Sequence, residues 1–434
     1  MARTASPPVP QAPEYLAVVA AGIARAVSQR LLISETLAAH LAGEGPASSR
    51  RSYWDCGGLA GGEIGLAVLA AALEESYPGE GWGEAGIGCL RRAVVSTPLQ
   101  DASLYSGLAG LAYASHLLGQ SDGFGLRVIS KVEPVLLRRT AQQVKAVRTI
   151  TRRDSTSVYD LVSGLVGQCV YLLAASSEAA RAAGQEAISA LVCLLAPSDD
   201  EGLHWACAPP GRRAGRAAAV SLNLGLAHGM PGVLALLSIA ELSGRSTPGA
   251  LEAVQWNANW LLRNITDDSY GPNWPTMRAL EPGATTPYAR AAWCYGAAGL
   301  GRALMLAADA LGDPQLKATG AGLLVASYCR LAGSLYQAGA GFCHGLSGVL
   351  YLLAQAAADY PATDLERARS DLLSHLIGMY DDDLTFGFTF PAADNPARDP
   401  QHPGLLTGAA GVALTLMKAA TGRPLGPDRV FLAA

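Results

Sequence analysis

Along this chain, stretches that are apolar almost all the way round a helix recur at intervals, and each follows two glycines three residues apart. Gly232-Val-Leu-Ala-Leu-Leu-Ser-Ile-Ala240 and Gly348-Val-Leu-Tyr-Leu-Leu-Ala-Gln-Ala356 are representative. A helix with no polar face must be covered on every side. Between these stretches lie charged, amphipathic segments such as Asp364-Leu-Glu-Arg-Ala-Arg-Ser-Asp-Leu-Leu373, which suit an outer layer. The glycine pairs are Gly58/Gly61, Gly107/Gly110, Gly164/Gly167, Gly229/Gly232, Gly296/Gly299, Gly345/Gly348 and Gly408/Gly411. Their first members are 49 to 67 residues apart, which is room for two helices and a connection. Internal repetition of this kind outweighs length as a guide to architecture.

The pattern predicts an all-α fold: an α/α toroid of seven helical hairpins, with apolar inner and amphipathic outer helices. Glycine at the start of each inner helix lets neighbours approach closely, because it brings no Cβ to the contact. An open stack of the same hairpins is the competing arrangement, and inner helices apolar on both flanks favour closure into a ring. Residues 14–434 read as a single domain. Residues 1–13, rich in Pro and Ala with no apolar core, read as a disordered tail rather than a signal peptide.

Composition narrows the function. The chain has 50% hydrophobic and 16% charged residues and a net charge of −4, without a long basic run, so nucleic acid is not an expected partner. No apolar run reaches the roughly 18 uncharged residues of a membrane span, and no integral membrane segment is expected. Eight cysteines scattered over 434 residues do not form a disulfide framework, which fits a reduced, cytoplasmic protein.

The repeats also locate candidate chemistry, since equivalent positions of successive inner helices lie side by side at one end of a ring. His228 precedes Gly229, and His344 precedes Gly345 at the same offset. Cys294 and Cys343 each stand two residues before a first glycine. Cys294, Cys343 and His344 therefore fall in one cluster with His228 beside it, a set of ligands that suits zinc with a fourth position open. Asp160, four residues before Gly164, reads either as a helix cap or as an active carboxylate. Arg290, four residues before Cys294, reads either as a structural ion pair or as a site cation. The basic stretch within Gln120–Ser157 suits a solvated outer helix, an inserted extension or a contact for a peptide leader. Asp381, Asp382 and Asp383 form an exposed loop rather than a metal site.

In its seven glycine pairs and in His228-Gly229, Trp293-Cys294-Tyr295-Gly296 and Cys343-His344-Gly345, taken in that order, the chain resembles the lanthipeptide cyclase (LanC-like) family across nearly its whole length. The resemblance implies one zinc on Cys294, Cys343 and His344, an acid/base role for His228 and functional roles for Asp160, Arg290 and Tyr295. It implies Michael-type addition of a peptide cysteine thiolate to dehydroalanine or dehydrobutyrine, closing thioether (lanthionine) rings. The partners implied are a dehydrated precursor peptide with leader and core, a separate dehydratase and a transporter, since the chain has no room for a fused dehydratase. Two other readings stay open: addition of glutathione or another free thiol to dehydroamino acids, and a non-catalytic scaffold that holds the precursor.

Overall fold

The computed structural model describes residues 12–42, 54–151, 154–196, 205–207, 220–280, 286–333, 338–390 and 400–434. Among these residues, fifteen α-helices account for most of the structure. Seven are inner: α3 (Glu63–Ser76), α5 (Leu108–Asp122), α7 (Leu165–Ala174), α9 (Met230–Leu242), α11 (Ala297–Leu311), α13 (Leu346–Asp359) and α15 (Ala409–Thr421). Each inner helix packs on the next, and α15 packs on α3, so the circle is closed. Outside it stand α1 (Pro13–Leu32), α4 (Trp82–Ser96), α6 (Phe124–Arg148), α8 (Glu178–Leu195), α10 (Ala250–Arg263), α12 (Pro314–Ala332) and α14 (Thr363–Gly378). A short helix, α2 (Thr36–Ala42), follows α1.

The two layers differ as their sequences require. From Met230 to Ala240 every residue of α9 is buried, whereas α14 buries only Leu365, Ala368, Leu372, Leu373 and Leu376 along one stripe. Helix α1 supplies the outer partner of α15, so the first and last hairpin elements meet and close the ring. By length and mean hydropathy (1.2), α1 is apolar enough to cross a membrane. Here its apolar side, Leu16, Ala20, Ala24, Val27 and Leu31, is buried against the ring. The helix begins at Pro13, the last residue of the expected tail, while residues 1–11 lie outside the described set.

What the glycines do is clearer than their spacing alone suggested. The first glycine of each pair caps an inner helix, and the second sits where the preceding loop folds back over that helix. A Cβ at Gly411 would lie 2.0 Å from the carbonyl oxygen of Leu405, and one at Gly348 2.1 Å from that of Phe342. Those same positions also meet the neighbouring repeat, since Gly411 faces the Cβ of Phe342 at 3.0 Å. In the first repeat this role falls on Gly62 and Gly65, not on Gly58 and Gly61. Gly62 caps α3, and Gly65 faces the carbonyl of Leu59 at 2.4 Å. The run Gly58–Gly65 holds two successive glycine pairs, Gly58/Gly61 and Gly62/Gly65, and only the second stands in register with the helix.

With that register, the residues before the capping glycines form a continuous belt. Main-chain N–H groups donate from Ala60 to Tyr105, from Tyr105 to Val162, from Leu161 to Ala227 and from Ala227 to Cys294. The belt continues from Cys294 to Cys343, from Cys343 to Leu406 and from Leu406 back to Ala60. Seven links joining seven repeats exclude an open stack. Beneath the belt lie Leu59, Leu104, Leu161, Leu226, Trp293, Phe342 and Leu405, each no more than 1% exposed.

The segment Gly426–Ala433 fills the middle of the ring under this layer. Phe431 stacks on Phe342 with ring centroids 4.0 Å apart, and its carbonyl accepts from Trp293 Nε1 at 2.9 Å. Tyr105 Oη donates to the carbonyl of Val430 at 2.7 Å. The segment is tied to the ring by a fully buried ion pair, Lys418 Nζ to Asp428 Oδ2 at 2.7 Å. Two small antiparallel ribbons complete the fold: β1 (Ser221–Asn223) with β4 (Met277–Ala279), and β2 (Thr266–Asp268) with β3 (Gly271–Asn273).

Candidate metal centre and active site

The belt sets the geometry of the site. Cys294 and Cys343 are consecutive members of it, joined through the Cys294 N–H and the Cys343 carbonyl. His344 follows Cys343 directly. The ligand atoms of Cys294, Cys343 and His344 all lie within 4.8 Å of one another, and Cys294 Sγ is 3.7 Å from His344 Nδ1. Among the described residues this is the group of donors close enough to hold a metal ion. Its members grade from buried (Cys294) through half-buried (Cys343) to exposed (His344), so the cluster opens to the surface on one side.

The two thiols act on each other. A hydrogen bond from Cys343, together with the nearby His344, outweighs burial and holds the Cys294 thiol below its ordinary value. That bond to Cys294 and burial push Cys343 the other way, opposed by the charge of Arg290. Cys294 is therefore the thiol of the pair that ionises first, and a cation between them would favour ionisation of both.

Beside the cluster, His228 Nδ1 lies 2.7 Å from Asp160 Oδ2. The Asp160 side chain is 2% exposed and that of His228 38%, so a buried carboxylate holds an accessible imidazole. Asp160 also serves the backbone: its Oδ1 accepts from Ser163 N–H at 2.7 Å and from Gly164 N–H at 3.1 Å. One oxygen of Asp160 thus holds the turn that leads into α7, whose N-cap is Gly164, and the other faces His228. Burial disfavours the charged imidazole, but the bond and charge of Asp160, with Cys294, raise His228 above its ordinary value.

The Tyr295 ring lies 6.3 Å from that of His228. Its hydroxyl accepts from Asn223 Nδ2 at 3.2 Å, and Asn223 Oδ1 in turn accepts from Gly225 N–H at 2.9 Å. Gly225 is what leaves space for the ring, because a Cβ there would lie 2.5 Å from Tyr295 Cε1. Burial raises the phenol of Tyr295, so it stays protonated. Arg290 is exposed and reaches the site through its charge on Cys343. Asn223 is the participant that sequence reasoning missed. It stands six residues before its capping glycine, the offset that Arg290 holds in the next repeat.

The basic stretch after Gln120 forms the long outer helix α6, while Arg152 and Arg153 lie outside the described residues. Asp382 is exposed, as expected for its loop, and pairs with Arg30 of α1.

The chain matches the family model for lanthionine synthetase C-like proteins over residues 53–430. No curated relative matches it by sequence. Among solved structures it is similar to a nisin cyclase, with a TM-score of 0.72 and 17% identity over 95% of this chain and 96% of that one. That likeness extends to the α/α-toroid fold itself. The chain belongs to the lanthionine synthetase C-like family, and is an enzyme of the cyclase type that forms carbon–sulfur bonds.

Proposed function

We propose that the chain is a zinc-dependent cyclase that closes thioether rings in a dehydrated precursor peptide, with residues 14–434 acting as one domain. The observation that carries this reading is the Cys294–Cys343–His344 cluster standing beside the His228–Asp160 pair on one belt. Two thiols and an imidazole within 4.8 Å are a donor set that zinc accepts while keeping one position for another ligand. Zinc held there supplies a substrate cysteine with its thiolate form near neutral pH.

The remaining chemistry falls to the chain's own residues. The substrate sulfur bonds to the β-carbon of dehydroalanine or dehydrobutyrine, and the double-bond electrons move toward the adjoining carbonyl. The α-carbon must then gain a proton. Asp160 accepts from Nδ1–H of His228, which fixes the ring and leaves Nε2–H as the acid. The raised affinity of His228 for its proton keeps that acid loaded. Tyr295, fixed by Asn223 and protonated, is a hydrogen-bond donor for the substrate carbonyl, and the Arg290 cation offsets negative charge building on its oxygen. A separate dehydratase supplies the substrate and a transporter removes the product. All eight cysteines are free, in keeping with the reduced cytoplasm.

Thiol counting tests the reading. Purified protein is incubated with a dehydrated peptide, and free thiols are alkylated and counted by mass spectrometry. Loss of alkylation at constant peptide mass supports ring closure. Full alkylation after long incubation, equal to the enzyme-free control, overturns it. Mass gain only when glutathione is present assigns the chain to free-thiol addition.

A further inference from the structure

On the rim that carries the site, one cavity has no part in the chemistry described so far. It has a volume of about 410 Å³, within the range of roughly 300–1,000 Å³ typical of ligand sites. Glutamine is its commonest lining residue, as Gln100, Gln142, Gln143 and Gln168, beside Asp101, Arg139 and Ser163. Gln168 stands in the first turn of α7 and is 1% exposed, yet its Oε1 has no hydrogen-bond partner. A buried acceptor left unmatched is costly, and few native groups remain so without cause. The cavity also abuts the site. Ser163 lines it, and the N–H of Ser163 is held by the same Asp160 that holds His228.

We propose that this cleft is a docking subsite for peptide main chain, in which Gln168 Oε1 accepts an N–H from the substrate strand. Side-chain amides carry both a donor and an acceptor, and so match the alternating N–H and C=O groups of an extended peptide rather than a charged ligand. Arg139 offers a cation at the outer edge for a carbonyl or carboxylate. The helix that supplies Arg139 and Gln142 is α6, the basic element singled out in the sequence. A peptide reacting at His228 would thread its flanking residues here, which ties residues outside the ring-forming pair to recognition. The inference rests on the proposed cyclase reading for its occupant. The same amide chemistry would be offered by a precursor and by a small peptide thiol such as glutathione.

The test is Gln168→Leu, which keeps volume and removes the acceptor. Because the acceptor has no partner within the fold, the variant should melt at or above the wild-type temperature and hold wild-type zinc. Its KM for cyclising a dehydrated peptide should rise five- to tenfold, with kcat changed less than twofold. An unchanged KM overturns the subsite, as does a fall in melting temperature without a change in KM. A rise in KM for glutathione alone assigns the cleft to the small thiol and overturns a precursor subsite. A fluorescent peptide with alanine at both reacting positions separates the two proposals. If it binds wild type five- to tenfold more tightly than Gln168→Leu, the cleft stands even where no ring forms and the cyclase reading fails. Equal or absent binding to both overturns the cleft even where cyclisation proceeds.

Discussion

The two halves of the belt are built alike and furnished differently. In repeats four to six, the two positions before the capping glycine hold Ala227 and His228, Cys294 and Tyr295, then Cys343 and His344. In repeats seven, one and two the same positions hold Leu406 and Thr407, Ala60 and Gly61, then Tyr105 and Ser106. The backbone bonds run through both halves without interruption. Underneath, both rest on the same ring of fully buried apolar residues. Position is thus set by the scaffold and chemistry by the side chain placed on it. The difference teaches that ligand geometry here needs no local motif: Cys294 and Cys343 are 49 residues apart and still adjacent links.

Breaking the scaffold should hurt both halves alike, and most of all. Gly411→Ala, in the plain half, puts a Cβ 2.0 Å from a carbonyl oxygen, and Gly299→Ala, in the chemical half, puts one 2.5 Å from the oxygen of Trp293. Each should lower stability by about 3 kcal/mol or more, measured by denaturant unfolding. Breaking the chemistry should hurt one half only. Cys343→Ala should abolish cyclisation in the alkylation assay with unfolding close to wild type, because the thiol is only half-buried.

His228→Ala should retain zinc and slow ring closure by about 100-fold, the low end for loss of a positioned acid, with product of mixed stereochemistry on chiral chromatography. Asp160→Asn sharpens that assignment through pH. Asp160 raises the affinity of His228 for its proton, so the acid form in wild type is lost only as pH rises through the raised value. Without that charge the loss should begin at lower pH, and the alkaline limb of kcat should move down. An unmoved limb would remove His228 as the acid. Thr407→Ala, the counterpart of His344 in the plain half, should change activity less than twofold.

Much of this was legible in the sequence because repetition makes offsets comparable. Six of the seven glycine registers follow from spacing, and the seventh does not, because Gly58–Gly65 contains two successive pairs of the same spacing. The buried Leu, Trp or Phe three residues before each capping glycine would have resolved it, since Leu59 has that offset from Gly62 and not from Gly58. The cluster of Cys294, Cys343 and His344 was legible for the same reason. The double contact of Asp160 was not, because spacing cannot tell a carboxylate that holds a turn from one that faces His228 when one side chain does both. Asn223 acts from a strand whose partner, Met277, is distant in sequence, and strands this short leave no periodic trace. Nor does any repeat announce the segment Gly426–Ala433, whose place under the belt depends on Phe431 meeting Phe342 and Trp293.

The central claim is that one end of this ring holds zinc through residues brought together by repeat offset. Elemental analysis of wild type and Cys294→Ala, purified side by side without chelator, tests it most directly. The account predicts about one zinc per chain in wild type and almost none in the variant. Equal zinc in both, or none in wild type after exposure to zinc and buffer exchange, would contradict it.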